Sequence, residues 1–220
     1  LSVRDEDEMT SSERLFRDDH RTMVGRDELV GALVDAVGRG DHVVLVGESG
    51  SGKSTVVCAV EQQLRARGVE WASVLLGSGS TGVSARDTVL HLAGQLGYGS
   101  ELESLAAGAA DDEWHIRWQS LLTQIATEDR RTVVVIDALD ALSGAREHDD
   151  VWPAQVVPDG VGLLCTTTDP TQAQVLVHAG ARMVKIDALE PNMAARAAQE
   201  WAQVSGRRLP TFVIDEIGSA

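Results

Sequence analysis

Residues 47–54 read Gly-Glu-Ser-Gly-Ser-Gly-Lys-Ser, which fits the phosphate-binding pattern G-x-x-x-x-G-K-[ST] without a mismatch. The apolar run His42-Val43-Val44-Leu45-Val46 precedes it and Thr55-Val56-Val57-Cys58-Ala59-Val60 follows. A buried strand, a glycine loop and a helix start are the context that this motif requires. Gly47, Gly50 and Gly52 free the backbone to turn amide N–H groups inward around a phosphate, and the following helix adds the positive end of its dipole. Lys53 supplies a point charge for β- and γ-phosphates, and the Ser54 hydroxyl a ligand for Mg²⁺. Glu48, Ser49, Ser51 and Thr55 complete the set of residues expected around the phosphates.

The rest of the composition narrows the class. A length of 220 residues suffices for one sizeable core, or for one domain with an appendage. Formal charge is −15, and an acidic surface repels phosphate backbones and anionic headgroups. Neither direct nucleic-acid binding nor membrane binding is therefore expected. Cys58 and Cys165 sit alone inside apolar runs, as buried small hydrophobes compatible with a reducing, cytoplasmic setting. No apolar run reaches the roughly 18 residues of a membrane span, and the first residues do not read as a signal peptide. A first residue other than Met suggests a piece of something longer.

Along the chain, residues 1–22 are dominated by charge and read as a solvated linker or loosely docked arm. Leu29, Leu33, Val34 and Val37 mark a helix that Gly38 and Gly40 stop. The helix after the phosphate loop is expected from about Ser54 to Arg67, and a second strand over 69–76. A loop of small residues follows over 77–82, then a helix marked by Val89, Leu90, Leu92, Ala93 and Leu96. Residues 97–112 read as a mobile connection. Trp114, Trp118, Leu121, Leu122 and Ile125 form a core-facing helical stripe. Thr132–Ile136 is apolar enough for a central strand covered on both faces. Fourth and fifth strands are expected over 161–166 and 183–186. Strands alternating with helices imply an α/β fold with a parallel sheet between helical layers.

The third strand runs into Asp137-Ala138-Leu139-Asp140. A carboxylate at the carboxyl end of a buried strand beside a phosphate loop is placed to hold Mg²⁺ and its water, and Asp137 takes that role. Asp140 either polarises the attacking water, or caps the next helix or faces solvent. Thr166, Thr167 and Thr168 end the fourth strand, with Thr167 chosen to sense a γ-phosphate, although hydrogen bonding within a turn is an equal alternative. The six histidines show no metal-ligand spacing.

Taken together, these residues resemble the STAND class of P-loop ATPases, which includes the NACHT and NB-ARC families, from about Met23 to the end. Met-Val-Gly-Arg-Asp-Glu-Leu (23–29) is similar to a segment that in this class lies near adenine, which brings in Gly25 and Arg26. Ile136-Asp-Ala-Leu-Asp-Ala-Leu142 resembles a NACHT-type Walker B. Residues 77–82, Trp152-Pro153, residues 157–161 and Leu189-Glu190-Pro191 are similar to further segments of that subgroup. The resemblance implies a five-stranded parallel sheet ordered 5-1-4-3-2 over residues 23–188, with the start of a helical lid from about residue 190. It implies an ATP/ADP- and Mg²⁺-binding switch with slow hydrolysis by Lys53, Asp137 and Asp140. Its partners would be further copies of itself and flanking sensor or effector domains. Ala141 stands where the family has a second acid and Asp169 where NB-ARC proteins have Arg, and either change slows hydrolysis while sparing binding. An AAA+-like motor and a non-hydrolysing scaffold with nucleotide as structural ligand are the alternative readings.

Overall fold

A computed structural model of the chain describes residues 17, 18, 20, 23–76, 84–100, 114–128, 130–142, 157, 158 and 160–218. The elements run α1 (Asp27–Gly38), β1 (His42–Val46), α2 (Lys53–Ala66), β2 (Glu70–Leu75), α3 (Ala85–Gln95), α4 (Trp114–Thr127) and β3 (Thr132–Asp137). A 3₁₀ turn (Leu139–Ala141), β4 (Val161–Thr167), α5 (Pro170–His178), β5 (Arg182–Lys185), α6 (Pro191–Val204) and α7 (Thr211–Ile217) follow. Parallel strands need crossover connections: α2 leads from β1 to β2, α3 and α4 from β2 to β3, and α5 from β4 to β5. The sheet has the order β2-β3-β4-β1-β5 with every neighbouring pair parallel. That is the expected order, seen from the opposite edge.

Alternation along the strands divides the core in two. Val43, Leu45, Val133, Val135 and Leu164 pack against the apolar stripes of α1 and α2. Val44, Val46, Val134, Ile136, Leu163 and Cys165 face α3, α4 and α5. All six residues of β3 are buried, as a central strand covered on both faces requires. Trp118, Leu121, Leu122 and Ile125 are core residues of α4, while the Trp114 side chain lies outside the described residues. So do 77–82, most of the 97–112 connection and Trp152-Pro153.

Differences at element ends have local causes. Helix α3 starts before the first apolar marker because Ser84 and Asp87 form a reciprocal capping box. Helix α5 starts at Pro170, with the Asp169 carboxylate accepting from the Thr171 amide at 2.8 Å. Strands β3 and β4 run one residue past their apolar stretches, taking Asp137 and Thr167 into the sheet. Register then sets the site: Val46 pairs with Thr167 and Ile136 with Cys165, so the carboxyl ends of β1, β3 and β4 finish on one edge.

Within the first 22 residues, Arg17 is anchored. Its Nε and Nη2 donate to the Glu61 carboxylate of α2 at 2.8 and 3.0 Å, and Nη2 also donates to Ser73 Oγ of β2 at 2.8 Å. Side-chain exposure is 13% for Arg17 and 5% for Glu61. Removing one member of such a pair strands the other charge away from water. Glu61→Ala is therefore expected to cost about 3 kcal/mol in urea unfolding, and a loss well under about 1 kcal/mol would mean the pair behaves as an exposed one. Cys58 and Cys165 are both buried free thiols, and burial, with Glu61 next, pushes the Cys58 thiol from its ordinary 9.0 up to about 12. Between those two values the unfolded chain releases a proton that the native chain keeps, so native stability falls as pH rises through that window. Iodoacetamide at pH 8 should leave both thiols unmodified until urea unfolds the chain. Rapid labelling of the native protein would contradict their burial.

Candidate phosphate-binding site

The loop after β1 is shaped by three glycines. Gly50 and Gly52 have φ of +81° and +91°, a region that side chains disfavour. A Cβ on Gly47 would lie 2.3 Å from the Ile186 carbonyl oxygen and 2.7 Å from Ser51 Oγ, so only glycine fits there. Helix α2 opens directly from Gly52 with no side-chain cap among the described residues. Its first amides are thus left for an external acceptor, at the positive end of the helix dipole.

Lys53 is 8% exposed and lies along the loop, where Nζ donates to the Gly47 and Glu48 carbonyls at 2.6 and 2.8 Å. Burial holds its ammonium below the usual lysine value, while the Asp140 and Asp137 carboxylates pull the other way. Ser54 Oγ donates to Asp137 Oδ2 at 2.7 Å. Thr166 Oγ1 donates to Asp137 Oδ1 at 2.6 Å and accepts from the Ala138 amide at 2.8 Å. Asp137 is 1% exposed. The structure thus brings Lys53, Ser54 and Asp137 together where β1, β3 and β4 end.

These donors suit a magnesium ion that travels with phosphates. Ser54 Oγ and an Asp137 oxygen are hard oxygens at hydrogen-bond distance, the few protein ligands such an ion takes when phosphates and water supply the rest. Among the described residues no cluster of three or more His, Cys, Asp or Glu is placed to hold a metal. Ser51 Oγ, in the loop itself, is buried without a hydrogen-bond partner.

The remaining expected residues are placed differently. Asp140 sits exposed in the 3₁₀ turn, accepting from the Thr168 amide at 3.3 Å and from Thr168 Oγ1. The Thr167 hydroxyl serves a turn, accepting from the Asp169 amide at 3.0 Å and donating to Gln172 Oε1 at 2.7 Å. Arg26 Nη2 donates to the Ser51 carbonyl at 3.1 Å and to the Asp187 carbonyl at 2.5 Å. Gly25 has a φ of +70° and packs beneath Met193 of α6. Sequence reasoning missed Thr166 as a partner of Asp137, because that contact depends on the β3–β4 register. It also read Asp169 only as a missing arginine, although Asp-Pro before an apolar run is itself a helix-start signal.

A P-loop at the carboxyl edge of a five-stranded parallel sheet between helical layers defines a P-loop NTPase fold. The chain matches the family described as Novel STAND NTPase 1 over residues 14–204, and it belongs to that family. No curated protein matches. Among solved structures, the chain is similar to AMPPCP-bound DnaA from Aquifex aeolicus (14% identity, TM-score 0.52, 95% of this chain and 57% of that one). It is also similar to a Walker-type ATPase of Pyrococcus abyssi (12%, 0.55, 88% and 62%). Hsp104 in its closed state with ATPγS is a third such structure (16%, 0.56, 90% and 32%). At these identities the likeness is one of fold, and the chain spans about three fifths or less of each relative's length. Among the described residues no helix is long and apolar enough to cross a membrane.

The Asp137 shell gives a direct test. Thr166→Val removes a donor to a buried carboxylate and the acceptor of the Ala138 amide while keeping side-chain volume. Thermal and urea unfolding should show a loss of about 2 kcal/mol, and an unchanged midpoint would contradict the assignment.

Proposed function

We propose that this domain binds Mg-ATP and Mg-ADP and works as a slow, nucleotide-controlled switch within a larger protein. The observation that carries this reading is the meeting of Lys53, Ser54 and Asp137 beside an uncapped helix start. In it the backbone from Gly47 to Thr55 cradles the phosphates, and Lys53 leaves its carbonyls for phosphate oxygens. Ser54 and Asp137 would hold Mg²⁺, which when bound offsets charge on the phosphates. Adenine as the base is supported by family membership and by the adenine nucleotide analogues found with this fold in DnaA and Hsp104.

Hydrolysis requires a water oxygen to bond to the terminal phosphorus as the bridging oxygen leaves with ADP. Asp140 is the carboxylate offered for the water's proton. Thr168 already donates to both Asp140 oxygens, so a water must compete with Thr168 for that carboxylate, and Ala141 adds no second acid. Slow turnover follows. The terminal phosphate, present or absent, then biases self-association and contacts with flanking domains through differential contacts in the two states. In the same reading α6 and α7 begin a helical lid, residues 1–22 are a connecting arm, and the protein acts in the cytoplasm.

Single-turnover and steady-state phosphate release test this. Wild type should turn over at about 0.01 per second or slower, as unassisted P-loop switches do, whereas several turnovers per second would favour a motor. Lys53→Ala should weaken ATP about 10- to 100-fold, the weight of a charge-assisted contact. Asp140→Asn should slow release at least about tenfold with little change in affinity, and an unchanged rate would remove Asp140 from the chemistry.

A further inference from the structure

Two contacts join the phosphate loop to the segment that leads from β5 into α6, and a third joins the lead-in residue Gly25 to α6 itself. The Ile186 carbonyl oxygen lies so close to Gly47 that a Cβ would sit 2.3 Å from it. Arg26 Nη2 bridges the carbonyls of Ser51 and Asp187. Met193 Cε lies 2.2 Å from where a Gly25 Cβ would be. One lead-in dipeptide, Gly25-Arg26, therefore touches both the loop and the first turn of α6.

The Ser51 contact has a specific consequence. Ser51 C=O and Gly52 N–H belong to one planar trans peptide, so they point in opposite directions. Holding the carbonyl toward Arg26 fixes the Gly52 amide away from it. That peptide leads into Gly52, the N-cap residue of α2, one peptide before the helix amides begin at Lys53. The Asp187 carbonyl, shared by the same nitrogen, belongs to the connection that carries α6.

Resting on the phosphate-binding reading above, we infer that Arg26 is a positioning residue. By donating to the Ser51 and Asp187 carbonyls, it sets the loop peptide for phosphate and ties phosphate affinity to the placement of α6. The guanidinium acts on the loop rather than on the base of the nucleotide. A shift of α6 that draws Asp187 away loosens the Ser51 peptide, and a phosphate seated in the loop holds Asp187 and α6 in place by the same bridge. Coupling of this kind is reciprocal.

Tripolyphosphate, which has no base or sugar, separates this role from base recognition. Displacement of a fluorescent ATP analogue is measured with sodium tripolyphosphate and with ATP, both with Mg²⁺, for wild type, Arg26→Ala and Arg26→Lys. Arg26→Ala should weaken both ligands by the same factor of about ten, with most of it restored by the lysine variant, which still donates. Weaker ATP with unchanged tripolyphosphate would assign the side chain to the base, and no change with either ligand would leave it without a role; each overturns the inference while the phosphate site stands. Failure of wild type to bind either ligand would end the phosphate-site reading and the inference together. Hydrogen exchange on wild type covers the case in which Arg26→Ala does not fold. Tripolyphosphate should slow exchange at 51–54 and also at 187–193, and slowing at the loop alone would overturn the coupling.

Discussion

A carboxylate with almost no access to water, Asp137, accepts one hydroxyl from the helix after the phosphate loop and one from the neighbouring strand. An ionised group so placed is tolerable only when its oxygens are satisfied, and Ser54 and Thr166 do that from two different elements. The arrangement fixes the start of α2 relative to β3 and β4. It also sets the Ser54 hydroxyl against the acid that ends β3, so the two side chains proposed to hold a cation are brought together by the same bonds that hold the sheet edge together.

Lys53 completes that preorganisation in another way. Its ammonium bonds to two carbonyls of its own loop and sits within reach of the Asp137 and Asp140 charges. The cation is thus offset locally by carbonyls and carboxylates while it lies along the glycine loop. In the proposed switch, exchange of carbonyl partners for phosphate oxygens would involve one side chain, whereas a response of α6 would run through the Arg26 bridge and the packing of Gly25 beneath Met193.

Much of this was legible in the sequence where the signal is local. GESGSGKS between an apolar strand and a helix start needs only its own spacing, and the apolar run 132–136 is long enough to demand a covered strand. Sheet order came from the family resemblance, because strand periodicity says nothing about which strands pair. Contacts across the sequence were hidden for the same reason. Thr166 meets Asp137 only through the β3–β4 register, and Arg17 looked like one more charge in an acidic arm until Glu61 and Ser73 were brought to it. Asp169 shows a subtler loss: compared with a family pattern it is a missing arginine, while by local chemistry it is a helix cap.

The most direct test of the account is calorimetric titration of nucleotide-stripped protein with ADP and with ATP in the presence of Mg²⁺. A single saturable site per chain, with heat that vanishes when Asp137 and Lys53 are replaced in a folded variant, is the expected result. No heat from either nucleotide with a folded, stripped wild-type protein would contradict it.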